Sequence, residues 1–584
     1  MNISRLNQSE FVRAYNILCA EIPRENAREA SYPTFCRIPV HSRSLKHSHF
    51  EPELFYIISG QGQLTLASEC SSVSDGDLIR IPPFVSHELV NSGNEELVFL
   101  SIFSEDFAVP HVPDTVIVSA APPTPNGPLH LGHISGPYLA SDIVSRYLQL
   151  RGAQVIRHCG TDDHQNYVQE GARCQNVSSD LFRRQMRSRI LDGLANFKIA
   201  FDEFQEPEQD ASYQKGILKF FKRACDAGVI QKKDRDYPFC IDCNQFLCDA
   251  LIEGSCPNCT SASHGACENC GLVVPPYDLI QASCTRCRVP VSYKPTAIFI
   301  FSLKEHLPLV NRDLAKLHLA PKLHRLIQRV QQGDASEVAL TCPGGPGIAI
   351  PDSPATLHVW FEMAAHYEQF ALAKAHWVHC FGFDNGFYYL LFIPTLLRAL
   401  NPQAKLPETV ISNEFLSLDG AKFSTSRKHA IWADEFEGNI DHLRFYLALH
   451  RPAFKDVDFS LQKFTEFSKE LTADFAQLHL LASHTEVSLD CDCMSEAIVR
   501  CNRTTRELES ALALNPFDLR RACRLILEFM DHILQSSVGG PSEKLRLRTF
   551  ASILAPFMPC ESDKLLLALG REKVDCLKDW AGVL

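Results

Sequence analysis

The chain has 584 residues and a mass of 65.5 kDa, which is too long for a single core, so we expect several domains. Hydrophobic residues make up 45% of the sequence and charged residues 22%, as is ordinary for globular proteins. The net charge of −12 excludes a uniformly basic surface that coats nucleic acid, although it still allows a local basic groove.

The N-terminal segment and the cysteine content predict a cytoplasmic protein. The first residues include Arg5, Glu10 and Arg13 and therefore lack the apolar core of a signal peptide. No apolar stretch approaches the length that spans a bilayer, so we expect no membrane contact. The 23 cysteines are therefore expected to be reduced thiols or metal ligands rather than disulfides.

Residues 1–109 are predicted to form an all-β barrel, because short apolar runs such as ELFYIISGQGQLTLA alternate with turn residues. Two patterns in this region resemble the double motif of the cupin family. The first pattern, H-x-H-x3-E-x6-G, consists of His47, His49, Glu53 and Gly60. The second pattern is matched by Gly76, Pro82, His87 and Asn91, with Phe84 at a position where the pattern has glycine.

These β-strand residues include a candidate metal site. Three imidazoles and one carboxylate on adjacent strands can converge on a divalent transition metal such as Fe, Mn, Ni or Zn. The candidate ligands are His47, His49, Glu53 and His87. The alternative is a metal-free barrel whose histidines line a pocket for a small-molecule ligand, and the sequence leaves both alternatives open.

From Thr115 onward the pattern changes to strand, helix, strand, which is typical of an α/β fold. VIVSAAP reads as a strand, Ile134 to Leu150 has helical spacing, and QVIRHCGT reads as a second, parallel strand. The predicted organisation is a first half of a Rossmann-type domain at 110–235, a cysteine-rich insertion at 236–300, a second half at 301–435 and an α-helical bundle at 436–584.

The segment PLHLGH, Pro128 to His133, lies where a parallel strand leads into a helix. A helix N-terminus offers free N–H groups for phosphate, but its dipole contributes only about 0.3–1 kcal/mol, so side-chain donors are needed. His130 and His133 flank Gly132, which lets the backbone approach a ligand closely. We therefore expect a phosphate site here rather than two histidines that merely line a helix start.

A second candidate phosphate site is the segment DGAKFSTSRKHAIW. It contains one cation followed by three hydroxyl side chains: Lys422, Ser424, Thr425 and Ser426. Such groups can stabilise the charge that develops on a leaving pyrophosphate. Alone, this segment would be more simply explained as a solvated basic turn, so its interpretation depends on HLGH.

Together the two segments resemble the HIGH and KMSKS signatures of class I aminoacyl-tRNA synthetases, most of all those of the methionyl-tRNA synthetase family. The stretches GTDDH, HVWFE and FGFD match the same family core, and the resemblance covers Val116 to Leu449. It implies a Rossmann-type domain in which an amino-acid carboxylate attacks ATP, with Mg²⁺, to give an aminoacyl-adenylate. It also implies ATP contacts from Asn126, His130, Gly132, His133, Asp384, Lys422, Ser424, Thr425 and Ser426. Thr425 replaces the second lysine of the family loop.

Four CxxC pairs within the insertion predict two structural zinc sites, since two such knuckles complete a tetrahedral set of four thiolates. The pairs are Cys240/Cys243, Cys256/Cys259, Cys267/Cys270 and Cys284/Cys287. The family resemblance implies that the two inner pairs share one zinc and the two outer pairs the other. Cys248 is left over and is expected to be a packing residue.

The amino-acid pocket departs from the family pattern. The resemblance implies that Asp162 holds the substrate α-ammonium and that Trp360 and Tyr367 are pocket aromatics. Four positions differ from the family: Thr124 for tyrosine, Ala364 for proline, Phe383 for lysine and Tyr389 for histidine. Such changes can retarget a pocket or can be neutral repacking, so methionine or an analogue is the expected substrate.

The helical C-terminal region lacks one family feature. The stretch Asp474 to His484, DFAQLHLLASH, stands where methionyl enzymes carry an Asn and an Arg that read the anticodon. Two functions remain: aminoacylation of tRNA, or transfer of the activated amino acid to a small molecule or carrier, with the cupin-like region sensing or tailoring the product.

Overall fold

The computed structural model describes residues 11–14, 16–21, 31–47, 53–67, 69–81, 85–104, 112–423, 429–484, 491–535 and 541–570. Within these ranges, no helix is both long enough and apolar enough to cross a bilayer. The described elements follow the predicted order: a β-rich region, an α/β region interrupted by a cysteine-rich insertion, and a helical region.

The N-terminal region forms two antiparallel sheets around one core. Its strands are β1 Val12–Ala14, β2 Ile17–Glu21, β3 Ser31–Ile38, β4 Glu53–Ser59, β5 Gln61–Leu66, β6 Glu69–Ser74, β7 Leu78–Ile81, β8 His87–Asn91 and β9 Leu97–Ser104. The sheet orders are β1-β2-β3-β9-β4-β7 and β6-β5-β8. Alternate residues such as Ile57, Leu64 and Leu89 point into the shared core, as the period of two along a strand requires. The prediction of a β-rich region is confirmed.

The α/β region begins with β10 Thr115–Ala120, α1 Leu131–His133, α2 Leu139–Leu150, β11 Gln154–Gly160, α3 Asn166–Gln175, α4 Ser179–Asn196, β12 Glu203–Gln205 and α5 Ala211–Asp226. The helix expected at Ile134 to Leu150 starts instead with a π-helical turn, Ile134–Tyr138. Gly136 leaves helical geometry and Pro137 has no N–H to donate, which explains the interruption.

The insertion and the segment after it contain short strands and helices. They are β13 Ile230–Cys240, β14 Gln245–Phe246, β15 Ile252–Ser255, β16 Ala262–Ser263, β17 Ile280–Cys284, β18 Ser292–Ser302, α6 Leu303–His306, α7 Asn311–Leu314, α8 Pro321–Gln331, β19 Glu337–Ala339, β20 Thr341–Pro343 and β21 Ala355–Leu357. The long antiparallel pair β13 and β18 forms the two arms that carry the cysteine-rich segment.

The second half of the α/β region completes a five-stranded parallel sheet. Its elements are α9 Val359–Leu372, β22 His376–Gly382, α10 Ile393–Leu400, β23 Thr409–Asn413, β24 Leu416–Leu418, β25 Ala421–Lys422, α11 Ile440–Leu449 and β26 Val457–Phe459. The strand order is β12-β11-β10-β22-β23, so the direction of the connections reverses between β10 and β22. Ligands bind at such a switch point, beyond the carboxyl ends of the strands.

The chain closes with α12 Leu461–His484, α13 Cys491–Ala511, α14 Leu519–Gln535, α15 Pro541–Leu554 and α16 Pro559–Ala568. In α14 the buried residues follow helical spacing, for example Leu519, Ala522 and Ile526. The helical region shares one core with α2 of the α/β region. At this junction the fully buried guanidinium of Arg444 lies 2.7 Å from Asp142 and donates to the carbonyls of Phe197, Pro556 and Phe557.

Candidate functional site

His130 and His133 lie together beyond the carboxyl end of β10. Their rings stack with centroids 3.7 Å apart, and the backbone N–H of His130 donates to Nδ1 of His133 over 3.2 Å. Phe423 also stacks on His130, at 4.7 Å. A Cβ at Gly132 would lie 2.9 Å from the His130 ring, so this arrangement requires glycine there.

Both imidazoles are neutral at pH 7. Burial, followed by the neighbouring His133, lowers the pKa of His130 to about 2. Burial also lowers the pKa of His133, to about 4. Nδ1 of His130 is buried and has no hydrogen-bond partner among the described residues. Each ring can give a phosphate oxygen one N–H without adding charge to the site.

The segment that carries Lys422 is anchored beside these histidines on both sides. Phe423 stacks on His130, and after the loop Ala433 donates its N–H to the carbonyl of Leu129 over 2.8 Å. Lys422 itself pairs with the carboxylate of Glu268 in the insertion. The predicted residues Ser424, Thr425 and Ser426 lie outside the described residues. HLGH and the lysine strand are therefore neighbours, as the motif pairing predicts.

Asp384 follows β22 and lies on the opposite side of the switch point. Burial, followed by the charge of Glu268, raises the pKa of Asp384 to about 6. Asn126 is exposed in the loop after β10, where its N–H donates to the carbonyl of Thr124 over 2.8 Å. Both residues therefore lie in loops at the carboxyl edge of the sheet, where the nucleotide was expected.

The buried carboxylate of Asp162 lies next to the carboxyl edge of the sheet. Thr124 donates its hydroxyl to Oδ2 over 3.2 Å, whereas Oδ1 has no hydrogen-bond partner among the described residues. Burial, followed by the nearby Glu362, raises the pKa of Asp162 to about 8. A buried carboxylate that lacks a full set of partners is suited to a cationic ligand such as an α-ammonium group.

A cluster of aromatic side chains packs near Asp162, whose charge acts on Tyr367 and Tyr389. Trp360 stacks on Tyr388 with centroids 3.8 Å apart and meets the edge of Tyr389 at 5.3 Å. Tyr367 is fully buried, 6.0 Å from Tyr389 and 5.3 Å from His379. Of these five, the sequence predicted Trp360, Tyr367 and Tyr389. It missed Tyr388 and His379, which lie on either side of FGFD.

A cluster of three charged side chains near Asp162 was also not predicted from the sequence. His164 of GTDDH bonds through Nδ1 to Glu362 at 2.8 Å and through Nε2 to Glu208 at 2.8 Å. Burial alone would lower the pKa of His164, but the two carboxylates outweigh it and raise the pKa to about 9. The imidazolium offsets the charge of Glu362, which is otherwise buried close to Asp162. Its position within GTDDH was the one available signal.

The eight knuckle cysteines form two quartets, each with all its sulfurs within 4.8 Å of one another. The outer quartet is Cys240, Cys243, Cys284 and Cys287, and the inner quartet is Cys256, Cys259, Cys267 and Cys270. The closest cross-pairs are 3.3 Å for Cys240 and Cys287, and 3.4 Å for Cys259 and Cys267. The grouping expected from the resemblance is confirmed, and four thiols in one cluster are a donor set that fits Zn²⁺.

Three of the four candidate cupin ligands are described and lie close together. Nε2 of His87 is 3.3 Å from Oε2 of Glu53, and the rings of His47 and His87 are 4.4 Å apart. Ser101 donates its hydroxyl to the other oxygen of Glu53. The fourth candidate, His49, lies outside the described residues. The described part brings an imidazole and a carboxylate to one place, which fits either a metal or a small ligand.

Two family models match the chain. The model described as tRNA synthetases class I (M) matches residues 116–479, and the model described as cupin domain matches residues 34–103. The first match contains HLGH, the inner and outer quartets and the aromatic residues described above. The second contains the glutamate and histidines of the β-rich region.

Curated relatives and solved structures agree with the first match. The methionine--tRNA ligase of Methanococcus aeolicus is 29% identical over 62% of this chain and 56% of its own length, and that of Methanobrevibacter smithii is 31% identical over 62% and 57%. The methionine--tRNA ligase of Methanopyrus kandleri is 28% identical over 80% of this chain and 77% of its own. The chain thus spans little more than half the length of the first two relatives.

A similar fold occurs in Mycobacterium tuberculosis methionyl-tRNA synthetase, solved in complex with methionyl-adenylate. The superposition has a TM-score of 0.63 and 17% identity, and it covers 80% of this chain and 96% of the other. The family match extends over well more than half of the chain and includes the parallel sheet and both signature segments. The chain therefore belongs to the class I tRNA synthetases of the methionyl (M) family.

Proposed function

We propose that the chain uses ATP to activate methionine, or a close analogue, and then transfers the aminoacyl group to tRNA. In the first step an oxygen of the amino-acid carboxylate bonds to the α-phosphorus of ATP, and the bond from that phosphorus to the pyrophosphate oxygen breaks. The products are an aminoacyl-adenylate and magnesium pyrophosphate. The observation that carries the proposal is that His130, the Lys422 strand and Asp162 all lie at one switch point of the sheet.

The proposed ATP contacts come from both sides of the switch point. The N–H groups of His130 and His133 would donate to phosphate oxygens, and Gly132 would let the backbone approach. Lys422, with Ser424, Thr425 and Ser426, would stabilise the pyrophosphate as it leaves. Asn126 and Asp384 would bind the remainder of the nucleotide. No protein nucleophile is needed, so catalysis consists of positioning the reactants and stabilising charge, with Mg²⁺ bound to the phosphates.

The proposed amino-acid site is the space between Asp162 and the aromatic side chains. Asp162 would pair with the α-ammonium group through its unpartnered oxygen, while Trp360, Tyr367 and Tyr389 would enclose the side chain. Thr124 holds the Asp162 carboxylate in place. Several relatives are named methionine--tRNA ligase, which supports methionine as the substrate.

The two cysteine quartets would hold structural Zn²⁺. Bound zinc would fix the position of Glu268 near Lys422.

Two features of the sequence favour an acceptor other than tRNA. The stretch 474–484 in α12 lacks the Asn and Arg pair of methionyl enzymes, and the helical region is not visibly basic, with Glu466, Glu470, Glu507 and Glu509 among its polar residues. Transfer to a small amine or a carrier protein is therefore the alternative second step. In that case the cupin-like region would sense or tailor the product, with or without a transition metal at His47, His49, Glu53 and His87.

Two assays on the purified full chain separate these functions. Exchange of labelled pyrophosphate into ATP, screened over natural and modified amino acids, tests activation, and we expect exchange that depends on methionine or an analogue. Acid-precipitable labelled amino acid after addition of total tRNA tests transfer. Exchange without tRNA charging would support the alternative acceptor, whereas absence of exchange with every amino acid would exclude both functions.

A further inference from the structure

A third group of metal-ligating side chains lies outside the two quartets. The Sγ atoms of Cys248 and Cys342 and a carboxylate oxygen of Asp249 all lie within 4.8 Å of one another. Both thiols are buried, with only 4% and 5% of their surfaces exposed. Cys248 is not part of a CxxC pair and is therefore expected from the sequence to be a packing residue. The structure places Cys342 next to it, which the sequence does not reveal.

The backbone around Cys248 directs two consecutive side chains to the same place. In an extended strand, neighbouring side chains point to opposite sides. Asp249 instead has a φ of +46°, in the left-handed region, which turns its carboxylate towards the thiol of Cys248. Asn166 fixes this conformation, since its amide donates to the carbonyl of Cys248 over 2.7 Å and accepts from the N–H of Ala250 over 3.0 Å. Strained backbone that is held from several directions is frequent at functional sites.

His358 supports the carboxylate from the other side. Its Nδ1 accepts the N–H of Trp360 at 3.4 Å, so Nε2 carries the proton and donates it to Oδ2 of Asp249 at 3.2 Å. Ligating carboxylates are commonly oriented by hydrogen bonds of this kind, and loss of such a supporting residue typically lowers metal affinity by about 10- to 100-fold. The cluster therefore has both a donor set and a support for one of the donors.

We propose that Cys248, Asp249 and Cys342 bind a third divalent metal ion, with His358 as the residue that positions Asp249. Two thiolates and a carboxylate are ligands that Zn²⁺ accepts, and the soft sulfurs disfavour Mg²⁺ and Ca²⁺. On binding, the two thiols release their protons to solvent. Three protein ligands leave one position of a tetrahedral zinc for a water molecule.

The proposed metal site lies where three segments of the chain meet. Cys248 belongs to the insertion, Cys342 to β20, and His358 directly precedes α9, which carries Trp360 and Tyr367. A metal at this point would tie the insertion to the helix that forms the aromatic side of the proposed amino-acid pocket. The inference itself does not depend on the proposed function, because it rests on the donor set, the backbone conformation of Asp249 and the hydrogen bond from His358.

Zinc content of the full chain, measured by mass spectrometry after purification without chelators, tests the site. We expect Cys248→Ser and Cys342→Ser each to lose one equivalent of zinc relative to the wild type. Cys523→Ser is the matched control, because Cys523 is a buried thiol in α14, in the helical region, and should lose none. Retention of the other zinc ions in the same sample shows that the insertion is still folded.

A second variant covers the case in which a cysteine variant does not fold. His358→Gln keeps both thiols, and we expect it to weaken zinc retention at one site by about 10- to 100-fold, measured by competition with a chromogenic chelator. Equal zinc content in the wild type and both cysteine variants would overturn the proposal. So would a Cys248–Cys342 disulfide in the purified protein, detected by mass spectrometry of alkylated, non-reduced peptides.

Discussion

Lys422, on the strand before the signature loop, pairs with Glu268, which lies between Cys267 and Cys270 of the insertion. This carboxylate therefore pairs with the cation that we assign to the pyrophosphate of ATP. Burial, followed by the charge of the same carboxylate, raises the pKa of Asp384. We therefore expect Glu268 to compete with the phosphates of ATP for Lys422.

We expect Glu268→Gln to lower the KM for ATP in pyrophosphate exchange. The pair is exposed, and pairs of this kind contribute little free energy, so a decrease of about two- to fivefold is expected. Glu253→Gln is the matched control, because Glu253 pairs with Arg288 elsewhere on the insertion. An unchanged or increased KM for ATP in Glu268→Gln would contradict the competition.

Asp162 predicts a dependence of amino-acid binding on pH. Only its ionised form attracts an ammonium group, and its pKa in the free chain is raised to about 8. The KM for the amino acid should therefore fall as the pH rises from 6.5 through 8, and it should level off only about one pH unit above the pKa. We expect Asp162→Asn to lose this dependence and at least a hundredfold in kcat/KM, because a buried charged pair is broken.

The control for this measurement is Asp202→Asn, since Asp202 pairs with Arg157 away from the site. It should retain the pH dependence of the wild type. A KM for the amino acid that stays constant between pH 6.5 and 8 in the wild type would count against Asp162 as the ammonium ligand.

The parts of the site that depend on short spacings were predictable from the sequence. His130 and His133 lie within the four residues of HLGH, and a single turn brings the two cysteines of each CxxC knuckle together. The contacts between distant segments were not predictable, because nothing in one sequence indicates that Glu362 lies 198 residues away beside His164, or that Cys342 meets Cys248. The neutral state of the histidines also depends on burial, which appears only once the fold is known.

Arg444 predicts a large effect on stability. Its guanidinium is fully buried, pairs with Asp142 and donates to three backbone carbonyls. Arg444→Met removes these partners and leaves buried acceptors unsatisfied, which should cost about 3–5 kcal/mol. We expect a clear fall in the melting temperature measured by circular dichroism. Lys222→Met, which removes an exposed pair with Asp226, should leave the melting temperature unchanged, and equal shifts in both variants would contradict this account.

The two quartets predict independent losses of zinc. Cys256→Ser breaks the inner quartet and Cys240→Ser the outer one, so each variant should lose one equivalent and keep the other. Because Glu268 lies within the inner quartet, Cys256→Ser should also change the KM for ATP, whereas Cys240→Ser should affect it less. Full zinc content in Cys256→Ser would refute the ligand set.

The central claim is that ATP and the amino acid bind together at one switch point of the sheet. The most direct test is pyrophosphate exchange by the wild type and by the variants His133→Ala and Lys422→Ala. We expect exchange that requires methionine or an analogue, and a loss of at least a hundredfold in kcat in each variant, because both residues act on the phosphates. If no amino acid supports exchange, or if both variants exchange as fast as the wild type, the proposed site is wrong.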